Sequence, residues 1–312
     1  MDTSLKLRIL SAHVLIITLW ASAYSGIRVG LGAYSPEHLS LLRLLVGSIA
    51  LLIFAVIIKM RLPEIKDIPM IFILGGLGFA VYQTALNYGG QTVSAGAISL
   101  IVSTIPIFSA ILAFIFYKEG FGIRGWIGTM IAFFGVIFVS IGPGDTMPIN
   151  FGVFFILVAS LATSIFFVFQ KKYLKKYGFI PFTTYTIFAG TLIMFFQFPG
   201  LGEEIVTAPM NATLSVIYLG LFPTVLPYFA LAYITSHTGA SAATSSLYLT
   251  PVLSFLIAWV WLGEVPTLFA VLGGVITLIG VLVVNLKIGK KEQQPQPAKI
   301  TQEDREYQQV NG

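Results

Sequence analysis

Two arginines stand inside apolar runs of this chain, and packing alone explains neither. Arg43 is flanked by Leu41, Leu42, Leu44 and Leu45, and Arg28 sits between Ile27 and Val29. A guanidinium in such surroundings is unfavourable unless it meets a partner or a wet cavity, so it marks a functional site by default. At Arg43 the planar fork would suit a carboxylate or another anionic group on a substrate. Arg28 lies nearer the end of its segment and could equally carry its head to the interface. A second set is uncharged: Trp20, Tyr24, Tyr82, Gln83, Asn87, Tyr88, Gln170, Tyr185, Tyr228, Tyr233, Tyr248 and Trp259. Interfacial belts account for some of these rings. Tyr82, Gln83 and Tyr228 fall nearest the middle of their segments and are the stronger candidates for a cavity wall.

The absences narrow the chemistry. The chain has no cysteine, which excludes disulfides, thiolate catalysis and cysteine metal sites. Its three histidines (His13, His38 and His237) have no ligand spacing, so no metal or cofactor is expected. There is no Gly-x4-Gly-Lys-Ser/Thr loop to cradle a nucleotide and no catalytic grouping of His, Asp and Ser. Nor does any apolar run carry a central Asp or Glu, which weakens a proton relay through a buried carboxylate. Facilitated diffusion, exchange or ion coupling through neutral groups remain, and an enzyme is not expected.

The elements that must position these residues carry their own signature. Pro106 precedes Glu119 by the same spacing as Pro251 precedes Glu264, and the two pairs are offset by 145 residues. At that offset Leu74, Gly75, Ala85, Leu86, Tyr88, Ala95, Ala97, Gly128, Gly135 and Val136 all recur without a gap. The chain is therefore an internal duplication, a plan common among transporters.

Charged residues make up 10% and apolar residues 56% of the 312 residues, far from the balance of a soluble domain. The hydropathy pattern predicts ten spans, at 10–30, 37–58, 68–88, 93–117, 124–142, 151–171, 180–198, 212–235, 239–262 and 267–287. With the N-terminus in the cytoplasm, every loop Lys and Arg falls inside, from Lys6 and Arg8 through Lys59, Lys66, Lys118 and Lys171 to Lys287. Glu37, Asp145, Glu203, Glu204 and Glu264 fall outside. This is a positive-inside pattern with both termini cytoplasmic. The net charge of +5 then reports topology, and no nucleic-acid partner is expected. Lys6, Arg8 and Ala21-Ser22-Ala23 also fit a cleavable leader, but the apolar run continues through Leu31, long enough to span.

Five spans per copy is an odd number, so the second copy must enter the membrane inverted. The expected organisation is a short cytoplasmic N-terminus (1–9), a first repeat (10–142), a second repeat (151–287) and a polar cytoplasmic tail (288–312) that lacks an apolar face. Thirteen residues of helix rise about 20 Å, which sets Pro106 and Pro251 mid-membrane and Glu119 and Glu264 at its edges. A mid-span proline bends a helix and frees a carbonyl. It serves either as a static kink or as a hinge beside a cavity, and the paired placement favours hinges. Each glutamate is expected to meet the positive N-terminus of the helix that follows it, a structural tie; a coupling role is the competing reading.

Ten spans, two five-helix copies and the Pro-x12-Glu signature closing the fourth and ninth spans resemble the drug/metabolite transporter superfamily, and within it the EamA-type permeases. The resemblance covers about residues 10–287. It implies a secondary transporter of the bacterial inner membrane with inverted repeats and a central cavity. Relatives of this kind export amino acids and similar metabolites, or toxic compounds, so the implied partners are a small-molecule metabolite and membrane lipid, with a homodimer also compatible. Arg43, Tyr82, Gln83, Tyr228 and Arg28 are the candidate substrate residues.

Overall fold

The computed structural model describes residues 3–118, 122–140, 150–238 and 249–285. The chain runs through α1 (Thr3–Gly30), α2 (Pro36–Ile57), α3 (Ile68–Gly75), a π-helical turn (Gly76–Val81), α4 (Tyr82–Gly90), α5 (Ala95–Val102), α6 (Ile105–Tyr117) and α7 (Gly122–Ser140). It continues through α8 (Phe151–Phe169), α9 (Lys171–Tyr177), α10 (Phe179–Met194), α11 (Leu201–Thr207), α12 (Met210–Leu221), α13 (Leu226–Thr238), α14 (Thr250–Leu262) and α15 (Leu268–Asn285). No strand occurs among the described residues.

Among the described residues eight helical segments are long and apolar enough to cross a membrane, and Thr250–Leu262 and Leu268–Val283 are shorter apolar helices. The predicted ninth span begins on residues 239–248, which lie outside the described residues, as do Glu119 and the tail beyond Asn285.

Lipid rather than water selects the outward faces. On α15, Leu268, Leu272, Val275, Ile279 and Leu282 recur at helical spacing and are all exposed. On α2, Ile49, Leu52, Ile53, Val56 and Ile57 form a similar stripe, while Ser40, Arg43 and Gly47 turn inward. Apolar side chains outside and polar ones inside invert the pattern of a soluble helix. The inner surfaces are held by small residues that let backbones approach. Against α15, a Cβ on Gly135 would come within 2.6 Å of the Gly273 carbonyl oxygen, and one on Gly280 within 2.6 Å of that of Gly128. Between these close approaches Thr277 Oγ1 lies 3.5 Å from the Ala132 carbonyl oxygen, a pair separated by 145 residues. The α7–α15 interface therefore juxtaposes positions related by the sequence duplication.

Two of the predicted spans break at turns, and a third leaves α-helical geometry for one π turn. The third is interrupted by the π turn, where Gly75 and Gly78 press against α10 and Phe166. The fourth breaks at Ser103–Thr104, immediately before Pro106 at the start of α6. Ser103 Oγ and Thr104 Oγ1 satisfy carbonyls of the turn before them, at 3.0 and 2.7 Å. The eighth breaks over residues 222–225, between α12 and α13, where Pro223 cannot donate to a continuing helix. Broken backbone inside a membrane protein is tolerated where it faces protein or a cavity. Both breaks and the π turn border one.

Candidate functional site

The cavity and the solvent at its mouth together hold about 960 Å³ of non-protein space. Its wall draws on early and late helices alike. α1 gives Trp20, Ala23, Tyr24 and Ile27, α2 gives Arg43, and the π turn with α4 gives Phe79, Tyr82, Gln83 and Leu86. Ser99, Val102, Ser103 and Ile105 come from in and around the break in the fourth span, and Pro223, Thr224 and Tyr228 from in and around that in the eighth. Thr163 and Phe167 of α8 and Thr250 of α14 complete it.

Of the sequence-derived candidates, Arg43, Tyr82, Gln83 and Tyr228 are brought together on this wall, with Trp20 and Tyr24 beside them. Arg43 is 6% exposed, and its Nε donates to Thr224 Oγ1 at 2.9 Å. Thr224 in turn donates to the Leu219 carbonyl at 2.8 Å, across the break in the eighth span. Tyr228 packs edge-on to Trp20 and tilted to Phe79, both at 5.8 Å between ring centres. Trp20 Nε1 donates to the Pro223 carbonyl at 3.1 Å, so that break also fixes the indole. No carboxylate lines the cavity, and none pairs with Arg43 among the described residues.

The other candidates have different surroundings. Arg28 is not among the cavity residues: its Nε pairs with Glu264 Oε1 at 3.1 Å, and one terminal nitrogen donates to the carbonyls of Gly90 and Gln91. Asn87 is buried and donates to Pro36 and Ser40. Tyr185 donates to the Arg61 carbonyl, and Trp259 faces outward, 57% exposed. Tyr248 lies outside the described residues. Sequence reasoning missed Thr224 and Thr250. The two prolines around Thr224 were the available signal, since a broken helix turns side chains towards the space it opens.

Glu264 departs from expectation. It does not meet the helix that follows it, because Thr267 already occupies that end, its Oγ1 accepting from Ala270 N at 3.1 Å. Gly263, in the left-handed region at φ 68°, ends α14 and turns the chain. The carboxylate then reaches α5 instead, where Oε2 accepts from Ala95 N at 2.8 Å.

Polar clasps close both ends of the bundle. At the end where α2 begins, Glu204 Oε2 accepts from Ser35 N at 3.1 Å and lies 2.9 Å from His38 Nδ1. At the other end Lys176 reaches Asp67 at 2.5 Å and Glu64 at 2.8 Å, and Tyr177 donates to Asp67. The Lys176 bond, then that from Lys66, holds the Glu64 carboxyl below its ordinary range. Desolvation opposes the charge on Lys176, but its bonds to Asp67 and Glu64 outweigh it and raise the ammonium above the usual lysine value.

Residues 8–141 and 150–286 each match the EamA-like transporter family. An uncharacterized transporter, YdfC, of Bacillus subtilis (strain 168) is 57% identical over 283 residues, covering 91% of this chain and 92% of that protein. A protein of Streptantibioticus cattleyicolor named a probable terminal-alkyne amino-acid exporter is 34% identical over 289 residues, covering 92% of this chain and 97% of its own. A solved crystal structure 16% identical to the chain covers 91% of it and 96% of its own length at a TM-score of 0.56, a likeness of fold. The buried cavity among lipid-facing helices and these matches agree: the chain belongs to the EamA-like transporter family and is a multi-pass membrane transporter.

Proposed function

We propose that this protein is a secondary transporter of the bacterial plasma membrane that exports a small metabolite, an amino acid or related compound, by alternating access. The observation that carries the reading is the central cavity, walled by both halves of the chain and bordered by two helix breaks and a π turn. The exporter name of the Streptantibioticus cattleyicolor relative supports the substrate class. Arg43, Tyr82, Gln83 and Tyr228 surround the substrate in this reading, while Arg28 belongs to the closure of one end. No catalytic grouping lines the cavity, so an enzymatic role is not part of the proposal.

The motion follows from a ten-span architecture of two inverted five-helix repeats, 10–142 and 151–287. The Ala132–Thr277 contact at the repeat offset supports it. So do the repeat mates Gly75 and Gly220, since Gly75 presses α10 as Gly220 presses α2. Symmetry-related rocking of the halves would expose the cavity to each side in turn. Pro106 and Pro251 act as hinges, and Glu119 and Glu264 as ties. Both termini are cytoplasmic, as the clustering of Lys and Arg at one end suggests; a homodimer is compatible with the lipid-facing surfaces. Efflux of drugs or toxic compounds through the same cavity is the second reading, favoured by its aromatic wall.

Flux from proteoliposomes over a metabolite panel tests the proposal. Solute movement above that of empty vesicles is expected, and its absence across the panel would remove the transport reading. Because the chain lacks cysteine, Lys66→Cys and Glu203→Cys can be probed singly in cells. Labelling of the second but not the first by an impermeant maleimide is the expected orientation.

A further inference from the structure

We infer that the cavity recognises its substrate through a carboxylate docked on Arg43, with Gln83 and Thr250 supplying neighbouring polar contacts, so the cargo is a small acid that also carries an N–H or O–H donor. The inference rests on the transport reading above and specifies what its site binds.

Three observations carry it. The first is charge. Arg43 is the one Lys or Arg on the described cavity wall, with no carboxylate beside it. A buried guanidinium without a counter-charge is strongly unfavourable, so an anion completes the site. The second is geometry. Among the described residues the hydrogen bond from Nε to Thr224 is the one that engages Arg43, and it leaves the forked terminal nitrogens for a bidentate acceptor. A carboxylate matches that fork and balances one positive charge. A phosphate dianion would need a second cation, which the wall does not provide.

The third is unmet hydrogen bonding. Among the described residues Gln83 Oε1 and Thr250 Oγ1 have no partner, although Gln83 is 2% and Thr250 6% exposed. Buried polar atoms are seldom left unpaired, because each costs about 1–3 kcal/mol of desolvation. The Gln83 oxygen can only accept, and an ionised carboxylate has nothing to give it. A substrate amine or hydroxyl does. The remaining wall, where Tyr228 packs against both Trp20 and Phe79, suits an apolar body.

The test uses purified full-length protein in proteoliposomes with four ligands on each of two skeletons. Leucine is compared with 2-hydroxy-4-methylpentanoate, 4-methylpentanoate and 3-methylbutylamine, and phenylalanine with its hydroxy acid, plain acid and amine. Transport and thermal stabilisation are expected for the amino and hydroxy acids, less for the plain acids, and none for the amines. Arg43→Gln should lower apparent affinity about 10- to 100-fold, the loss of one charge-assisted contact, and Arg43→Lys should keep part of it. Thr224→Val keeps the charge but unpins the fork. It should raise KM several-fold with little change in maximal rate, and it serves as the check if Arg43→Gln elutes as aggregate.

Equal activity of the amines overturns the inference, as does unaltered affinity in Arg43→Gln or equal stabilisation by chloride or phosphate alone. Silence across all eight ligands overturns it too. In that last case an ethidium efflux assay in the same vesicles separates the two claims: efflux leaves the transport reading standing, and its absence removes both.

Discussion

Glu264 Oε2 accepts a hydrogen bond from Ala95 N at 2.8 Å, joining the end of α14 to the first turn of α5 across 169 residues of sequence. The same carboxylate meets Arg28 Nε at 3.1 Å through its other oxygen. One side chain thus ties the ends of three helices, and it places negative charge at the N-terminus of α5, where the helix dipole favours it. Glu264→Gln keeps an acceptor for Ala95 but loses the ion pair, which is partly exposed and worth at most about 1 kcal/mol. Glu264→Ala loses both, and a destabilisation of about 1–2 kcal/mol is expected. Thermal unfolding in detergent should rank wild type above Gln above Ala; equal midpoints for Gln and Ala would remove the Ala95 contact from the argument.

The α7–α15 seam leaves no room for a side chain. A Cβ on Gly135 would lie 2.4 Å from Thr277 N and 2.6 Å from the Gly273 carbonyl, both backbone atoms that cannot rotate away. Gly135→Val should therefore force the helices apart, at a loss of about 3 kcal/mol or more. Gly202 has nothing near its Cβ position, so Gly202→Ala should be close to neutral. Yield of monodisperse protein on size exclusion distinguishes the two.

Pro106 stands at the start of α6, just after the Ser103–Thr104 break. Pro106→Ala restores a backbone donor and lets the helix run through. Transport is expected to fall several-fold while stability holds or rises, because the substitution restores a hydrogen-bond donor to the helix backbone. Pro251→Ala should act in the same direction. Unchanged flux in both would reduce the prolines to static kinks.

The Glu64–Lys176 clasp gives stability a pH dependence of known sign. The Glu64 carboxyl lies below its ordinary value in the folded protein, through its bonds to Lys176 and Lys66. Its contribution is thus present above the usual carboxylate range, and it fades as pH falls through the lowered folded value. Midpoint-versus-pH curves between pH 3 and 7 should drop less steeply on the acid side for Glu64→Gln than for wild type. Parallel curves would mean that the clasp carries no net linkage.

Much of the architecture was readable because its causes are local or periodic. Runs of apolar residues mark spans wherever the solvent is lipid, and the offset of 145 residues exposed the duplication before any contact was known. Arg43, Tyr82, Gln83 and Tyr228 were legible as wall candidates because polarity near mid-span has few benign explanations. Arg28 shows where this reasoning stops. In sequence it resembles Arg43, yet its carboxylate partner lies 236 residues away, and no span pattern encodes that distance. Thr224 and Thr250 went unread for a related reason: threonine is ordinary in membrane helices, and only the break between α12 and α13 and the start of α14 bring these two to the cavity.

The sequence by itself determined that the chain lives in a membrane, that its halves are copies, and that two charges needed an explanation. Those conclusions follow from transfer free energies and repeat spacing, which depend on composition and order alone. The tertiary structure decided which arginine faces the cavity and which is held in an ion pair, and which helix end Glu264 closes. It also decided that two spans break at turns and that a third takes a π turn. Such choices depend on which distant side chains converge in a medium without water, where every buried donor and acceptor must find its partner inside the fold.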